Sequence, residues 1–531
     1  MRYYPFGNQM FFMLGDFNTK VLWGSHDDNP YGYMAENRHL ALLRGFDNIA
    51  RNENGTPIKD VLKARNYIYS PYLAERGHKE FKYTRYDYSA LLPLLKAGTQ
   101  SRKVRKWNEA RPNRDIRLTI DAKLQVRIQT VLGQFAANRN NNYMRVSVVV
   151  LDAVDGDLLC SANYPLPNQD TIIAKNNVPY YSDNSFDFNA YTDRDLGTTF
   201  QTQPGSTAKV MSAMAGFMKL GEEAANKSFY IYNEEKIDTK LGEPVGQVNL
   251  HDAIVQSSNC YFINSVDSLD LFEQLGEIYQ ATGVRIDKEY INKKGLTVVE
   301  HSLTPYFFYN TENTDSATFK SEVINMSNRG RHIYSEYIRN RNKKNEYSKM
   351  NWSQCAWAWG QGTMRATPLN MARVAAIVVN NGTLAHTRYL LPQSGNEDTM
   401  LITTNKDRVC ATSLETLKSY MKDQARLKAS IFNPAIGGKT GTPERIHNYK
   451  YKTGKQATFT GQRNGARLGK SKAENDAWYI FFVDSDGVNQ SKAKKLAVAI
   501  RIERAKSTSS LAMQVTRSQI IPVLTELGYM K

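Results

Sequence analysis

The chain contains 531 residues, of which 41% are hydrophobic and 23% are charged. This is an ordinary mixture for a globular protein, and it excludes wholesale disorder, a collagen-like chain and a small disulfide scaffold. The 69 Lys and Arg residues outnumber the 52 Asp and Glu residues, which leaves a formal net charge of +17. Such an excess suits a polyanionic neighbour, either nucleic acid or an anionic membrane or cell-wall surface, without choosing between them.

The N-terminal segment carries no pattern of membrane targeting. Its apolar patches are short and are interrupted by Asn8, Asp16 and Lys20, which is unlike a signal peptide. No stretch of the sequence reaches the ~18–20 uninterrupted apolar residues of a membrane span. We therefore expect the chain itself to be soluble, with any membrane anchor lying outside this sequence or on a partner.

A basic stretch with few aliphatic residues, from about Lys96 to Arg117, divides the chain. Such a composition is typical of a solvated linker or an exposed arm. The segment before it is rich in Tyr, Asn and Gly and is too short for a large core. The sequence therefore predicts a non-catalytic N-terminal region over residues 1–115 and a main domain over residues 116–531.

Beyond this linker the apolar pattern predicts regular elements. Apolar residues from Leu124 to Phe135 recur at helical spacing, whereas the β-branched run Val146–Asp152 predicts a strand. Asp155-Gly156 is a hairpin-turn sequence that leads into a second strand at Leu158–Ala162.

The C-terminal part supplies a second pair of strands, at Ala477–Val483 and Leu496–Ile502. A final helix is expected from about Leu511 to Leu527, with a kink at Pro522. Strands at both ends of the domain, with helix-rich sequence between them, predict a sheet assembled from both ends and flanked by helices. The predicted fold class is α+β, or mixed α/β.

A serine followed three residues later by a lysine, Ser206 and Lys209, is the first candidate for catalysis. On a helix this spacing places the amine on the same face as the hydroxyl. Pro204-Gly205 suits the start of a helix, where free N–H groups favour developing negative charge. A lysine desolvated at such a site can lose its proton near neutral pH and act as the base for the serine.

This spacing alone has little specificity, because it recurs at Ser419–Lys422 and at Ser491–Lys494. The former lies in a polar helical stretch and the latter in a Lys-rich loop, so surface positions are the simpler interpretation of both. A further motif, Lys439-Thr440-Gly441, likewise has a second copy at Lys452-Thr453-Gly454, whose polar flanks predict a loop.

Two further motifs distinguish the first copy. Ser257-Ser258-Asn259 ends the amphipathic run Leu250–Gln256. Lys439-Thr440-Gly441-Thr442 follows an apolar stretch and two glycines, Gly437-Gly438, which we expect to let the backbone approach a ligand. In isolation the two motifs suit a helix cap and a surface turn. All three in this order, with suitable local structure at each, predict one active site.

These motifs resemble those of the penicillin-binding proteins, and most closely the class B, monofunctional transpeptidases of bacterial cell-wall synthesis. Ser206-x-x-Lys209, Ser257-x-Asn259 and Lys439-Thr440-Gly441 match the three active-site motifs of that family. Other segments resemble it as well: R-x-Y-P-x-G at Arg2–Gly7, L-T-I-D at Leu118–Asp121, G-Q-G and T-P-L within Gly360–Leu369, and the strand around Ala477–Tyr479.

The resemblance implies a serine transpeptidase or β-lactamase-like domain, with a central antiparallel sheet flanked by helices, behind a partial pedestal-like N-terminal region. It implies a periplasmic or cell-envelope location, an inner-membrane anchor in the parent protein and a separate membrane glycosyltransferase partner. No cofactor or metal ion is expected. The positive charge then suits an anionic envelope surface. Nucleic acid is not an expected partner, because the basic residues occur without a stacking motif.

The resemblance also implies an acyl-enzyme mechanism. Ser206 would attack the carbonyl between the last two D-alanines of a peptidoglycan stem peptide, while Lys209 takes the serine proton. Ser257 would relay a proton to the leaving amine, and Asn259 would hold the substrate amide and the lysine. The amine of a neighbouring stem peptide would then form the cross-link. β-Lactams would acylate and inhibit the same serine.

The strand motif has implied binding roles. Lys439 and Thr440 would bind the terminal carboxylate of the substrate, which suits a fixed cation beside a hydroxyl donor. Gly441 would let the substrate lie along the strand as an added β-strand. The N–H groups of Thr442 and Ser206 would form the oxyanion hole.

Two alternatives share the same motifs. A D,D-carboxypeptidase or a serine β-lactamase would hand the acyl group to water, and a non-catalytic β-lactam sensor or scaffold would keep the fold alone. The large catalytic domain with its N-terminal region favours a transpeptidase, and the complete set of motif side chains argues against a decayed sensor.

Overall fold

The computed structural model describes the following parts of the chain: residues 5–14, 50–51, 85–86, 116–137, 145–166, 195–198, 200–231, 244–286, 288–291, 297–300, 356–361, 364–389, 391, 406–443, 447–450, 456–459, 475–485, 495–505 and 510–531.

The strands are, in chain order, β1 Ala50–Arg51, β2 Arg85–Tyr86, β3 Val146–Asp152, β4 Leu158–Tyr164, β5 Ser228–Ile231, β6 Gly246–Asn249, β7 Arg285–Ile286, β8 Lys288–Ile291, β9 Thr297–Glu300, β10 Met364–Arg365, β11 Thr383–Ala385, β12 Lys406–Arg408, β13 Ile436–Gly441, β14 His447–Lys450, β15 Gln456–Phe459, β16 Asn475–Val483 and β17 Leu496–Ala505. The α-helices are α1 Phe11–Leu14, α2 Ala122–Ala137, α3 Lys209–Leu220, α4 Leu250–Gln256, α5 Asn259–Ser268, α6 Phe272–Thr282, α7 Pro368–Val379, α8 Glu415–Ala429, α9 Ser510–Val515 and α10 Ile521–Glu526.

Within the described parts of the chain, five strands form the central sheet, in the order β13-β16-β17-β3-β4, and every neighbouring pair is antiparallel. The sheet joins β3 and β4 from the start of the domain to three strands from its C-terminal part. The predictions of an antiparallel sheet built from both ends, and of the α+β class, are therefore confirmed. β3 has the predicted bounds, and α2 extends the predicted helix by two residues at each end.

The sheet separates two layers of the hydrophobic core. Along β16, Trp478 and Ile480 enter one layer, whereas Tyr479 and Phe481 enter the other, and all four are fully buried. Successive side chains of a strand point to opposite faces, so a strand covered on both faces is apolar throughout. This explains why β3, β16 and β17 appear in the sequence as continuous apolar runs.

Helices cover both faces. In the first layer, α7 packs on β3, β16 and β17, and α3 to α6 contribute to the same cluster. α2, α9 and α10 contribute to the second layer. α8 lies beside β13 at the edge of the sheet, with Leu417 and Met421 in the first layer and Ala425 and Ala429 in the second. The active-site motifs predicted from the sequence lie on the first face and at this edge.

The C-terminal helix is interrupted where the sequence predicts a kink. α9 passes into a π-helical turn at Thr516–Ile520, and α10 begins immediately before Pro522. Proline has no N–H, and its ring clashes with the carbonyl four residues earlier. A wider turn before Pro522 accommodates both effects.

The first described segment packs against the main domain. Phe11 and Phe12 are buried in the first layer, and Gln9 Nε2 donates to Thr130 Oγ1 of α2 at 3.3 Å. The division of the chain at residue 115 stays a prediction, and most of the basic linker before Arg117 lies outside the described residues. No helix in the described parts of the chain has the length and apolar character needed to cross a bilayer.

The β3–β4 turn contains a position that only glycine suits. Gly156 has a φ of +75°, and a Cβ placed on it would lie 2.2 Å from the carbonyl oxygen of His386. Because both the left-handed backbone and the contact penalise a side chain, Gly156→Ala should lower the free energy of unfolding by about 1–3 kcal/mol. Urea denaturation measures this change.

Gly133 in α2 provides the matched control, because a Cβ there would meet no atom of the described residues within 4 Å apart from its chain neighbours and the backbone of its own helix. Gly133→Ala should raise stability by roughly 0.5–1 kcal/mol. Equal stability of Gly156→Ala and wild type would contradict the turn geometry.

Candidate active site

Ser206 lies on a single 3-10 turn, Gly205–Ala208, that runs directly into α3. Lys209 is the first residue of α3 and is fully buried, whereas Ser206 is half-buried. The turn is held by the Thr207 hydroxyl, which donates to the Pro204 carbonyl at 2.7 Å. Ser206 thus lies at the N-terminal end of this helix, as the sequence predicts.

The second motif lies between two helices. Ser257 follows the last residue of α4 and has a left-handed backbone, with φ 63° and ψ 48°. This conformation is unfavourable for a residue with a Cβ, and it occurs most often at helix C-termini. It turns the chain sharply into α5, which begins at Asn259, and the Ser258 hydroxyl accepts the Tyr261 N–H at 3.0 Å.

The Lys209 amine joins the first motif to the second. Its Nζ donates to Ser257 O at 2.5 Å, to Ser257 Oγ at 3.1 Å and to Asn259 Oδ1 at 2.5 Å. The Nζ also lies 6.0 Å from the centre of the Phe262 ring. A buried amine is costly unless oxygen atoms accept its hydrogens, and these three acceptors meet that need.

The third motif reaches the same hydroxyl. Lys439 on β13 is fully buried, and its Nζ donates to Ser257 Oγ at 2.9 Å and to Thr440 O at 3.2 Å. The Ser257 oxygen therefore lies between the amines of Lys209 and Lys439. Since a hydroxyl oxygen has two lone pairs, it can accept hydrogen bonds from both amines.

We name Gly205–Ala208 the nucleophile turn, after the role predicted for Ser206, and the end of β13 lies against it. A Cβ placed on Gly441 would lie 2.6 Å from Pro204 O, so glycine permits the close approach of the two backbones. On the other side, the position of a Cβ on Gly205 is 3.1 Å from the Thr442 nitrogen. The backbone N–H of Thr442 is therefore beside the turn that carries Ser206.

The two glycines before Lys439 have a different role from the one expected. A Cβ on Gly438 would lie 2.2 Å from the Tyr479 hydroxyl, and one on Gly437 would lie 2.3 Å from the Phe482 ring and 3.0 Å from the Lys422 nitrogen. They make room for aromatic side chains of β16 and for the backbone of α8. The expectation that they let the backbone approach a ligand is not what these contacts show.

A further segment supports the nucleophile turn. The Gly205 N–H donates to the Gly360 carbonyl at 2.8 Å, and Thr202 and Ala366 exchange two backbone hydrogen bonds. Thr367 then caps α7 through its side chain and Asn370. The G-Q-G and T-P-L segment noted in the sequence thus contacts the turn directly, a role that its composition did not indicate.

The competing copies of the motifs do not enter this site where they are described. Ser419 and Lys422 lie on α8, where Ser419 is exposed and the Lys422 amine pairs with Asp484 at 3.5 Å. The copies at Ser491–Lys494 and Lys452-Thr453-Gly454 lie outside the described residues. Of the predicted site residues, the contacts above join Lys209, Ser257, Asn259, Lys439 and Thr440, and place Gly441 and Thr442 beside the turn of Ser206.

A buried ionic cluster close to this site was not predicted from the sequence. Arg501 on β17, Asp476 on β16 and Glu503 are each buried to within 2% exposure, and the Arg501 guanidinium contacts both carboxylates. A signal was present in the sequence, since Arg501 interrupts the apolar run of β17 between Ile500 and Ile502.

Comparison with known protein families identifies the family of this chain. The sequence matches the family described as "Penicillin binding protein transpeptidase domain" over residues 146–519, more than half of the chain. The protein therefore belongs to the family of penicillin-binding protein transpeptidase domains. The search of curated proteins gives no significant match.

Three solved structures resemble this one. A structure on the coordination of polymerization and crosslinking by a peptidoglycan synthase complex has 18% identity and a TM-score of 0.46, over 77% of this chain and 62% of that one. PBPA from Mycobacterium tuberculosis has 18% identity and a TM-score of 0.45, over 77% and 81%. A peptidoglycan synthetase from Bifidobacterium adolescentis ATCC 15703 has 16% identity and a TM-score of 0.46, over 78% and 61%. The chain thus spans less than two thirds of the first and third.

Ser257 allows backbone strain to be separated from the function of its hydroxyl. Ser257→Gly and Ser257→Ala both remove the oxygen shared by the two lysines, but only alanine keeps a Cβ in the left-handed region. The glycine variant should therefore be more stable than the alanine variant by about 1–2 kcal/mol in urea denaturation.

Ser430 is the matched control, because it follows α8 with a φ of 53° and is exposed. Ser430→Gly should likewise be more stable than Ser430→Ala. Alanine and glycine variants of equal stability at Ser257, with the expected difference at Ser430, would show that the Ser257 backbone is not strained.

Proposed function

We propose that this protein is a class B, monofunctional peptidoglycan D,D-transpeptidase that works through a serine acyl-enzyme and is acylated by β-lactams. The family is that of the penicillin-binding transpeptidases. The observation that carries the proposed acyl-enzyme chemistry is the Ser257 hydroxyl, which lies between the Lys209 and Lys439 amines at 3.1 and 2.9 Å.

In the proposed acylation step, Ser206 is the nucleophile and Lys209 the base. Ser206 Oγ attacks the carbonyl carbon of the penultimate D-alanine, and its proton passes to the neutral Lys209 amine. Two strong acceptors at 2.5 Å, Ser257 O and Asn259 Oδ1, can take the two hydrogens of a neutral amine. This orients the nitrogen lone pair away from them, which supports the role of Lys209 as an oriented base.

Breaking the carbon–nitrogen bond requires a proton on the departing D-alanine amine. We assign this proton to the Ser257 hydroxyl, because its oxygen lies within hydrogen-bond distance of both the Lys439 amine and the Lys209 amine, which at this stage is protonated and has a third hydrogen to donate. Lys209, which holds the serine proton, replaces it across the 3.1 Å hydrogen bond. The acceptor amine then attacks the ester, Ser206 recovers its proton, and a new amide bond links two stem peptides.

We assign substrate binding to β13. It is an edge strand of the central sheet, which suits an extended peptide that pairs with it. Lys439 and the Thr440 hydroxyl supply a cation and a donor for the terminal carboxylate. The N–H groups of Thr442 and Ser206 would hold the developing oxyanion, and each such donor contributes about 2.7–4 kcal/mol in other enzymes.

The proposed setting is the bacterial cell envelope. A membrane anchor in the parent protein, a separate membrane glycosyltransferase partner and contact with anionic envelope polymers belong to this proposal. The net charge of +17 is compatible with such a surface.

Covalent labelling with a fluorescent penicillin tests the proposal directly. The wild-type protein should carry one label that survives denaturing electrophoresis, and Ser206→Ala should carry none, because the acyl bond cannot form. Ser419→Ala is the matched control, since it alters the same motif on the exposed face of α8 and should label like wild type. Labelling that persists in Ser206→Ala and disappears in Ser419→Ala would contradict the proposal.

The fate of the acyl group separates the transpeptidase from its alternatives. After removal of excess β-lactam, intact-protein mass spectrometry should show the adduct persisting, and incubation with stem peptides should yield cross-linked dimers. Rapid loss of the adduct to water with no dimer would favour a carboxypeptidase or a β-lactamase. A protein that is acylated but inert toward every stem peptide would favour a sensor.

A further inference from the structure

A buried guanidinium lies behind the active site on the same face of the sheet. Arg501 of β17 is 1% exposed. Its Nε and Nη2 donate to Asp476 Oδ2 at 3.1 and 2.9 Å, and Nη2 also donates to Glu503 Oε1 at 2.9 Å. No mechanistic step proposed above uses this group, although it lies in an otherwise apolar strand.

Strand register connects Arg501 to the substrate-binding strand. Gly441 pairs with Trp478, and Trp478 pairs with Arg501, so these three residues form one row across β13, β16 and β17. Directly paired residues present their side chains on the same face. The guanidinium carbon accordingly lies 5.8 Å from the centre of the Trp478 ring.

The same guanidinium contacts the segment that leads to the nucleophile. Its carbon lies 4.9 Å from the centre of the Phe200 ring, and Phe200 is six residues before Ser206. At the other end of the row, Gly441 lies against Pro204 of the nucleophile turn. These contacts form a closed path from β13 through Trp478, Arg501 and Phe200 back to that turn, and we call this path the contact loop.

The carboxylate partner of Arg501 adds a second connection. The Asp476 N–H donates to the Pro443 carbonyl at 3.2 Å, immediately after Thr442. The cluster therefore fixes both the chain that carries Ser206 and the chain that carries the Thr442 N–H. An error of about 1 Å between a nucleophile and its partners can cost on the order of 10²-fold in rate.

Stability alone gives a weak reason for such a cluster. Replacing a buried ionic cluster by apolar residues is often neutral or stabilising, because desolvation of the charges offsets their attraction. A planar guanidinium that bonds a carboxylate through two nitrogens and also packs on aromatic rings does, however, fix relative positions, which lysine cannot do.

We propose that Arg501 is a positioning residue for acylation, which holds Phe200 and Trp478 so that the Ser206 turn and the Gly441–Thr442 end of β13 keep their relative geometry. This inference rests on the proposed acylation function, which it deepens. It predicts that loss of the planar group slows the chemical step and leaves the first, non-covalent encounter with a β-lactam nearly unchanged.

Arg501→Lys tests this inference while keeping a positive charge beside Asp476 and Glu503. Stopped-flow kinetics with a reporter β-lactam separates the non-covalent dissociation constant from the acylation rate constant. We expect the acylation rate constant to fall about 10²-fold, with less than a threefold change in the dissociation constant.

Arg373→Lys is the matched control. Arg373 is fully buried on α7, where its guanidinium donates to Thr387 Oγ1 and Thr282 O. Neither acceptor belongs to the contact loop described above. It should lose stability and keep its acylation rate constant. Equal slowing in both variants, or an effect confined to binding, would overturn the inference.

A double-variant cycle tests the path through Phe200. Phe200→Leu should slow acylation in the same way, and the double variant with Arg501→Lys should lose little more than the slower single variant, because both break one loop. If the fold-losses in the acylation rate constant of the two single variants multiply in the double variant, the two residues act separately, which would contradict the contact loop.

Hydrogen exchange tests the positioning without any reaction. Amides in residues 200–203, 205–207 and 439–442 should exchange faster in Arg501→Lys than in wild type and Arg373→Lys. This readout stays valid even if no β-lactam acylates the wild-type protein, in which case the proposed function fails alone. Unchanged exchange in these segments would overturn the positioning role itself.

Discussion

The site depends on one buried amine and the oxygen atoms around it. Lys209 donates to Ser257 and Asn259, which lie 48 and 50 residues further along the chain. An amine this deeply buried requires acceptors, so the segment between α4 and α5 is fixed against the start of α3. Lys439 binds the same Ser257 oxygen from β13, 182 residues away. One hydroxyl therefore brings three distant motifs together.

The rest of the fold supplies what this arrangement requires. The five-stranded sheet fixes β13 at an edge, and Gly441 lets that strand touch the nucleophile turn. In the proposed mechanism stability and function diverge at Ser257, because a glycine would fit its left-handed backbone better and would lack the hydroxyl. The Arg501 cluster behind the strand fits the same interpretation, as a contribution to geometry rather than to net stability.

Sequence patterns predict the central elements of this fold well, because strands buried on both faces appear as uninterrupted apolar runs. β3 and the start of β17 are found where the pattern places them, and hydrogen bonds at Ser257 join Lys209 to Lys439. Contacts set by strand register could not be predicted from the sequence, because the row from Gly441 to Arg501 depends on which residues of neighbouring strands pair. Gly437 and Gly438 show the same limit: a glycine signals a close approach, but whether to a ligand or to an aromatic ring is decided by the neighbouring strand.

The central claim is that Ser206 is the residue that becomes acylated. Cleavage after Arg194 and Lys209 releases a peptide of residues 195–209, which contains a single serine. Peptide mapping by mass spectrometry after reaction with a penicillin should find the adduct on this peptide, with fragment ions that place it on Ser206. An adduct on the peptide of residues 419–422, or on any other serine, would contradict the account.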